Sequence, residues 1–155
     1  MRDFRIWVAL LRAAVGGVWL FEAYPQVAAA GSFLSSGFAE AVRTMADGNP
    51  YSFYRQFLQN VVLTHTSVFA YLVLVGNVVL GVCLLLGLLT PYAAFVALLL
   101  NVNYALAAGW TDRPIYSLNA LLIVAEIVVI VLRAGHVAGL DAVLGGGPAK
   151  RTRRY

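Results

Sequence analysis

The chain is short of charge, and over one long stretch it has none. From Gln56 to Thr111, 56 consecutive residues include no Asp, Glu, Lys or Arg. A soluble domain averages about 25% charged residues, whereas this chain has 12% and is 61% hydrophobic. No soluble fold of 155 residues could bury so much apolar sequence, so a water-soluble globule is excluded. Cysteine is nearly absent. Cys83 stands alone, which excludes an intrachain disulfide and a CxxC dithiol. Histidine is scarce too. His65 and His136 are the only two, and with a single cysteine they offer no cluster for iron–sulfur or copper.

What is present is apolar sequence in span-sized pieces. A bilayer-spanning helix needs roughly 20 apolar residues, and the Thr90-Pro91 step splits the uncharged run into two such halves. Four spans are expected: the first within Phe4–Ala29, the second within about Ser67–Leu89, the third within Tyr92–Gly109 and the fourth within Ile115–Leu132. Pro91 and Pro114 stand at the first turns of the third and fourth, where a missing N–H is harmless. The net charge of +4 does not point to nucleic acid, because the basic residues sit at the ends of apolar segments and report topology. Arg2, Arg5 and Arg12 flank the first span, and Arg133, Lys150, Arg151, Arg153 and Arg154 follow the fourth. The other side carries Arg43, Arg55 and Arg113, diluted by Glu40, Asp47 and Asp112. Both termini are therefore expected in the cytoplasm, and ten arginines against one lysine fit a GC-rich bacterial source.

The expectation is an all-α, integral membrane four-helix bundle in the bacterial cytoplasmic membrane. One domain covers residues 1–144, and residues 145–155 form a flexible basic cytoplasmic tail that meets lipid head groups. The start resembles a secretory signal with an A-x-A-like site at Ala28-Ala29-Ala30, but Arg12 and Glu22 interrupt its apolar core, so retention is expected. The outer loop, roughly Gly31–Thr66, should be ordered. Leu34, Phe38, Ala41, Val42 and Met45 repeat at helical spacing, as do Tyr54, Phe57, Leu58, Val61 and Val62. Asn49-Pro50 reads as an N-cap and N1 proline between two short interfacial helices.

Polar residues inside hydrocarbon must find partners, so their positions are informative. On the first span Arg12, Gly16, Trp19, Ala23 and Gln26 share a face, with Glu22 at its edge. On the fourth, Asn119, Glu126 and Arg133 recur every seven residues. Asn77 lies mid-span in the second, and Asn101, Asn103 and Tyr104 lie in the third. Small residues on these faces permit close helix approach. Counting about 1.5 Å per residue puts Arg12 and Glu126 both about 10 Å below the cytoplasmic boundary, which predicts an Arg12–Glu126 ion pair that fixes helix register. The alternative is that Arg12 snorkels to the surface and Glu126 is protonated or hydrated. At the outer end Glu22, His65, Asn103, Tyr104 and Asn119 fall beneath the loop helices and could line a small-ligand pocket. The commoner reading of such residues is an aromatic belt with helix–helix amide contacts.

Asn49-Pro50-Tyr51 with Tyr54 and Phe57-Leu58, then Phe69-Ala70, Gly76-Asn77, Gly81 and Leu84-Leu85-Leu86-Gly87-Leu88-Leu89-Thr90 form one ordered string. It continues through Asn101-Val102-Asn103-Tyr104-Ala105-Leu106-Ala107, Asn119-Ala120-Leu121-Leu122, Ala134-Gly135-His136 and Gly139-Leu140-Asp141. Over about Leu10–Leu144 this resembles the DoxX-like membrane proteins, and within them the DoxD-like type related to the membrane subunit of thiosulfate:quinone oxidoreductase. The resemblance implies a four-helix membrane bundle, oxidation of a small sulfur anion with electrons passed to quinone, and a second subunit. Family members usually carry Glu where this chain has Asn77, so any proton-coupled role of that carboxylate is absent here or falls to Glu22 or Glu126.

Three functions follow. One is an accessory or anchor subunit of a quinone-linked redox complex. Another is a quinone-binding redox subunit acting through Glu22, His65, Asn103, Tyr104 and Asn119. The third is a small transporter with Arg12 and Glu126 as pathway charges, although no inverted repeat or broken helix supports it. Bis-histidine haem is excluded, because His65 and His136 belong at opposite surfaces. The only cofactor implied is non-covalent quinone. The expected partners are membrane lipid and either further copies of the chain or a redox subunit.

Overall fold

The computed structural model describes residues 2–111, 113–137 and 139–144, and the expected basic tail at 145–155 lies outside them. The described residues contain helices and turns and no strand. Helix α1 is Arg2–Ala28. Two short loop helices follow, α2 at Phe38–Ala46 and α3 at Ser52–Phe57. The remaining long helices are α4 at Thr66–Leu86, α5 at Thr90–Ala108 and α6 at Arg113–Val131, and α7 is a short C-terminal helix at Leu140–Leu144. Phe4–Ala28, α4 and α5 are each long and apolar enough to cross a membrane, and Tyr116–Val131 of α6 is a shorter apolar helix. These bounds agree with the four apolar segments expected from the sequence to within a few residues.

The tight turn between α4 and α5 is built by two left-handed residues. Gly87, at φ +69°, ends α4, with its own N–H on Leu84 O at 3.3 Å and that of Leu88 on Cys83 O at 2.8 Å. This paired arrangement satisfies carbonyls that the helix end would otherwise orphan. Leu89, at φ +48°, then turns the chain into Thr90 and Pro91. A non-glycine residue in that region is strained and needs support. It receives support from the C-terminal segment, as described below.

The four long helices pack as two pairs, α1 with α4 and α5 with α6, joined by contacts of α1 with α6 and of α4 with α5. The α1–α4 contact is backbone to backbone. A Cβ on Gly16 would lie 2.5 Å from Leu85 N and 2.8 Å from Gly81 O, and one on Gly81 would lie 2.7 Å from Leu20 Cγ. Lipid tails are as apolar as leucine, so helix association in a bilayer depends on such close packing more than on hydrophobic burial. Val15, Trp19, Leu84, Ala94, Ala97 and Val129 fill the centre. Each long helix also turns large apolar side chains outward: Phe21 on α1, Leu72 on α4, Leu99 on α5 and Leu121 on α6.

The outer loop forms a second, separate core. Phe38, Val42, Tyr54, Leu58 and Val62 pack together on Ala70 of α4 and Ala107 of α5. The two helices expected from periodicity are present, and wider π turns at Phe33–Gly37 and Leu58–Val62 extend them. Asn49 is not the N-cap of a helix beginning at Pro50. The helix begins two residues later, at Ser52 after an extended Tyr51. The buried Asn49 instead takes the Tyr51 N–H on Oδ1 at 3.0 Å and donates from Nδ2 to Leu106 O at 3.1 Å and Met45 O at 3.3 Å. It ties the loop to the end of α5.

Candidate functional site

Three groups of polar residues lie within or against the bundle, and they differ in what holds them. The first is a clasp at the α4–α5 turn. Arg12, 3% exposed, donates from Nη1 to Ala134 O at 2.9 Å and Val137 O at 3.2 Å. Asp141, at the start of α7, takes the Leu89 N–H on Oδ1 at 2.6 Å and the Thr90 N–H on Oδ2 at 2.8 Å. Its own N–H returns to Gly87 O at 2.8 Å. Asp141 is thus a remote N-cap for α5, and it supports the strained Leu89. Partial burial works against ionisation of Asp141, but the amides of Thr90 and Leu89, with nearby His136, outweigh that and hold the carboxyl below the ordinary range.

Glycine is required here for space. A Cβ on Gly87 would run into the Arg12 guanidinium, and one on Gly139 would lie 2.5 Å from Arg12 Nη1. A Cβ on Gly135 would collide with Asp141 Oδ2 and Thr90 Oγ1.

The second group lies at the bundle centre around Glu126, which is 0% exposed. Its Oε1 accepts from Asn101 Nδ2 at 2.7 Å and from Trp19 Nε1 at 3.0 Å. Its Oε2 is buried and accepts no hydrogen bond from the described residues. Arg12 and Glu126 are therefore not brought together. Trp19, which meets Glu126, is seven residues beyond Arg12, about 10 Å along the helix. Counting from span ends misplaced the pair by two turns. The chain leaves α6 at Val131 and folds back across the bundle end, so Arg12 meets the backbone that follows α6 and not Glu126.

The third group links Glu126's surroundings toward the loop. Tyr104 donates to Asn77 Oδ1 at 3.2 Å, and Asn77 Nδ2 donates to Gln26 Oε1 at 3.2 Å. The Tyr104 and Trp19 ring centroids are 6.3 Å apart, which brings this chain beside one of the two donors to Glu126. As an amide, Asn77 both accepts and donates in one chain, which an ionised carboxylate could not do.

Of the five residues expected to line an outer pocket, Tyr104 belongs to this chain, with Glu22 within electrostatic reach of its hydroxyl. Asn103 Oδ1 accepts from the loop residue Tyr54 at 2.8 Å. Asn119 is buried one heptad before Glu126. Glu22 and His65 are exposed, and the His65 ring sits 3.1 Å from Val61 O at the start of α4. Tyr54 is pushed up to about 12, by burial first and by the nearby Tyr104 second.

Sequence reasoning gave Asp141, Gln26 and Trp19 no partners. The signal for the last two was present in the heptad stripe Arg12, Trp19 and Gln26 facing the stripe Asn119, Glu126 and Arg133. Asp141 carried no such signal, because its partners are backbone amides. Among the described residues no group of three or more His, Cys, Asp or Glu could hold a metal ion.

Comparison with known proteins gives one match. Residues 7–150 match the family described as TQO small subunit DoxD. No curated protein and no solved structure matches the chain. With three helices long and apolar enough to cross a bilayer, the chain is a membrane protein.

Proposed function

Because the chain belongs to the DoxD family, we propose that it is the membrane-embedded accessory subunit of a quinone-linked redox complex of the thiosulfate:quinone oxidoreductase kind. One observation carries the accessory role. The residues that make the family string, Asn49, Gly87, Gly135, Gly139 and Asp141, are engaged in holding the helices and loop to one another. They build a rigid frame, and large apolar side chains cover its outside, which suits bilayer lipid and a partner redox subunit or a further copy.

In this reading α6 is the fourth span. At 19 residues it equals α5, and about 1.5 Å per residue gives about 28 Å, close to a hydrocarbon core of about 30 Å. The arginine distribution then puts both termini in the cytoplasm of a bacterial cell.

A second reading is favoured by Glu126. A buried carboxyl beside an amide, an indole and a phenol offers groups that hydrogen-bond a quinone carbonyl. Glu126, Asn101 and Tyr104 would then hold a quinone within this chain. Such a quinone, when bound, supplies a two-electron acceptor.

Native mass spectrometry of the untagged protein, extracted gently from its own membrane, separates the readings. The accessory role predicts recovery with a partner subunit. Bound quinone at near-unit stoichiometry without a partner would replace it with the second reading. Recovery of the bare chain would sink both.

A further inference from the structure

We propose that Glu126 is a proton-exchanging site inside the bundle that opens toward the loop end, where the polar chain Tyr104–Asn77–Gln26 runs outward from beside Trp19, the indole that donates to Glu126. The geometry is unusual for a purely structural carboxyl. Two donors, Trp19 Nε1 and Asn101 Nδ2, fix Oε1, while the equally buried Oε2 receives none. A buried polar atom without a partner is rare and calls for an explanation. A proton is a ligand that the buried Oε2 can take. Its binding removes a charge that would be costly in this setting.

The two ends of the bundle differ as routes. Toward the α4–α5 turn, Arg12 is buried and fastened to Ala134 and Val137. Toward the loop, Tyr104, Asn77 and Gln26 form a continuous hydrogen-bond chain that ends at a half-buried Gln26. The exposed Glu22 lies one turn from Gln26 on the same helix.

The titratable and charged groups on the packed elements are few. Helix α1 brings Arg12 and Glu22, α4 brings Cys83, α5 brings Tyr104, and the segment after α6 brings Arg133, His136 and Asp141. None of them is a hydrogen-bond partner of Glu126.

The step moves one proton and no electron: the O–H bond at Oε2 breaks, and the proton passes to water or hydroxide entering from the loop end, leaving the carboxylate. The inference rests on the redox-complex reading only for the use of that proton, since quinone reduction consumes two protons with two electrons.

Infrared difference spectra of the whole chain in phospholipid vesicles test this across the pH range in which the protein stays folded. The expected result is a protonated-carboxyl C=O band that is lost on alkalinisation and is missing from Glu126→Gln. In Trp19→Phe the band shifts, because one donor to Oε1 is gone. This second variant assigns the band even if the first does not fold. In heavy water the band shifts by deuterium exchange, and Tyr104→Phe slows that exchange several-fold without removing the band. A spectrum with no pH-dependent carboxyl band that responds to either substitution overturns the site, and unchanged exchange in Tyr104→Phe overturns the route. The readout needs neither partner nor quinone, so a titrating Glu126 in a chain recovered alone would leave the site standing and remove the complex.

Discussion

The clasp and the bundle centre both bury an ionisable side chain, yet they solve the problem by different means. At the clasp, Arg12 and Asp141 bond to backbone carbonyls and amides, groups whose positions are set once the chain has turned. At the centre, Glu126 is satisfied by two side chains, and one of its oxygens has no donor. Backbone partners cannot rotate away, whereas side-chain partners can reorganise when a proton arrives or leaves. The comparison therefore separates polar residues that fix the fold from those available for exchange.

Substitutions that crowd the clasp should have the largest effect. Gly87→Val places a branched residue in a left-handed conformation that costs about 1–2 kcal/mol for any L residue. It also drives a side chain into Arg12, and overpacking typically adds about 1–3 kcal/mol. The expected outcome is loss of monodisperse protein on size-exclusion chromatography in detergent.

Arg12→Ala comes next. Val137 O loses its Arg12 donor and Ala134 O keeps only the Val137 N–H at 3.2 Å, at about 1–3 kcal/mol for a buried group left unsatisfied. A drop of many degrees in Tm should accompany faster proteolysis within residues 134–144.

The third effect depends on pH. The Tyr54 hydroxyl ionises near 12 in the folded chain against 10.0 when unperturbed. The unfolded chain therefore loses its proton first as pH rises. The stability tied to this group is complete below about pH 10 and lost between about pH 10 and about pH 12, to the extent of about 3 kcal/mol at most. Thermal melts of Tyr54→Phe should lack that alkaline decline.

Glu126→Gln should have the smallest effect, about 1 kcal/mol or less, since the amide keeps an acceptor for Trp19 and Asn101. Glu126→Leu removes that acceptor and should cost clearly more. Equal melting of Arg12→Ala and Glu126→Gln would erase the distinction between clasp and centre.

Much of this was legible in the sequence. Long uncharged runs fix helices because a backbone in hydrocarbon must satisfy its own hydrogen bonds, and the boundaries at Thr66, Leu86 and Thr90 lie close to those expected. Heptad spacing also gave the inward faces of α1 and α6. It could not give their relative height. Sliding one stripe past the other by seven residues leaves every face unchanged, so Arg12, Trp19 and Gln26 were equally eligible partners for Glu126. Asn49 was misjudged for a related reason. An Asn-Pro pair reads locally as a helix start, but a buried amide is free to serve a distant carbonyl.

The sequence by itself thus determined that the chain forms apolar helices of membrane length, where they begin and end, and which side of each helix is polar. These follow from local periodicity and from solvent. Tertiary structure alone decided the register between helices. The fold-back of residues 134–144 onto the α4–α5 turn gives Arg12 its carbonyl partners and Leu89 and Thr90 their acceptor. It also leaves Glu126 to Trp19 and Asn101, because a hydrogen bond is settled by distances of a few tenths of an ångström that no spacing along the chain encodes.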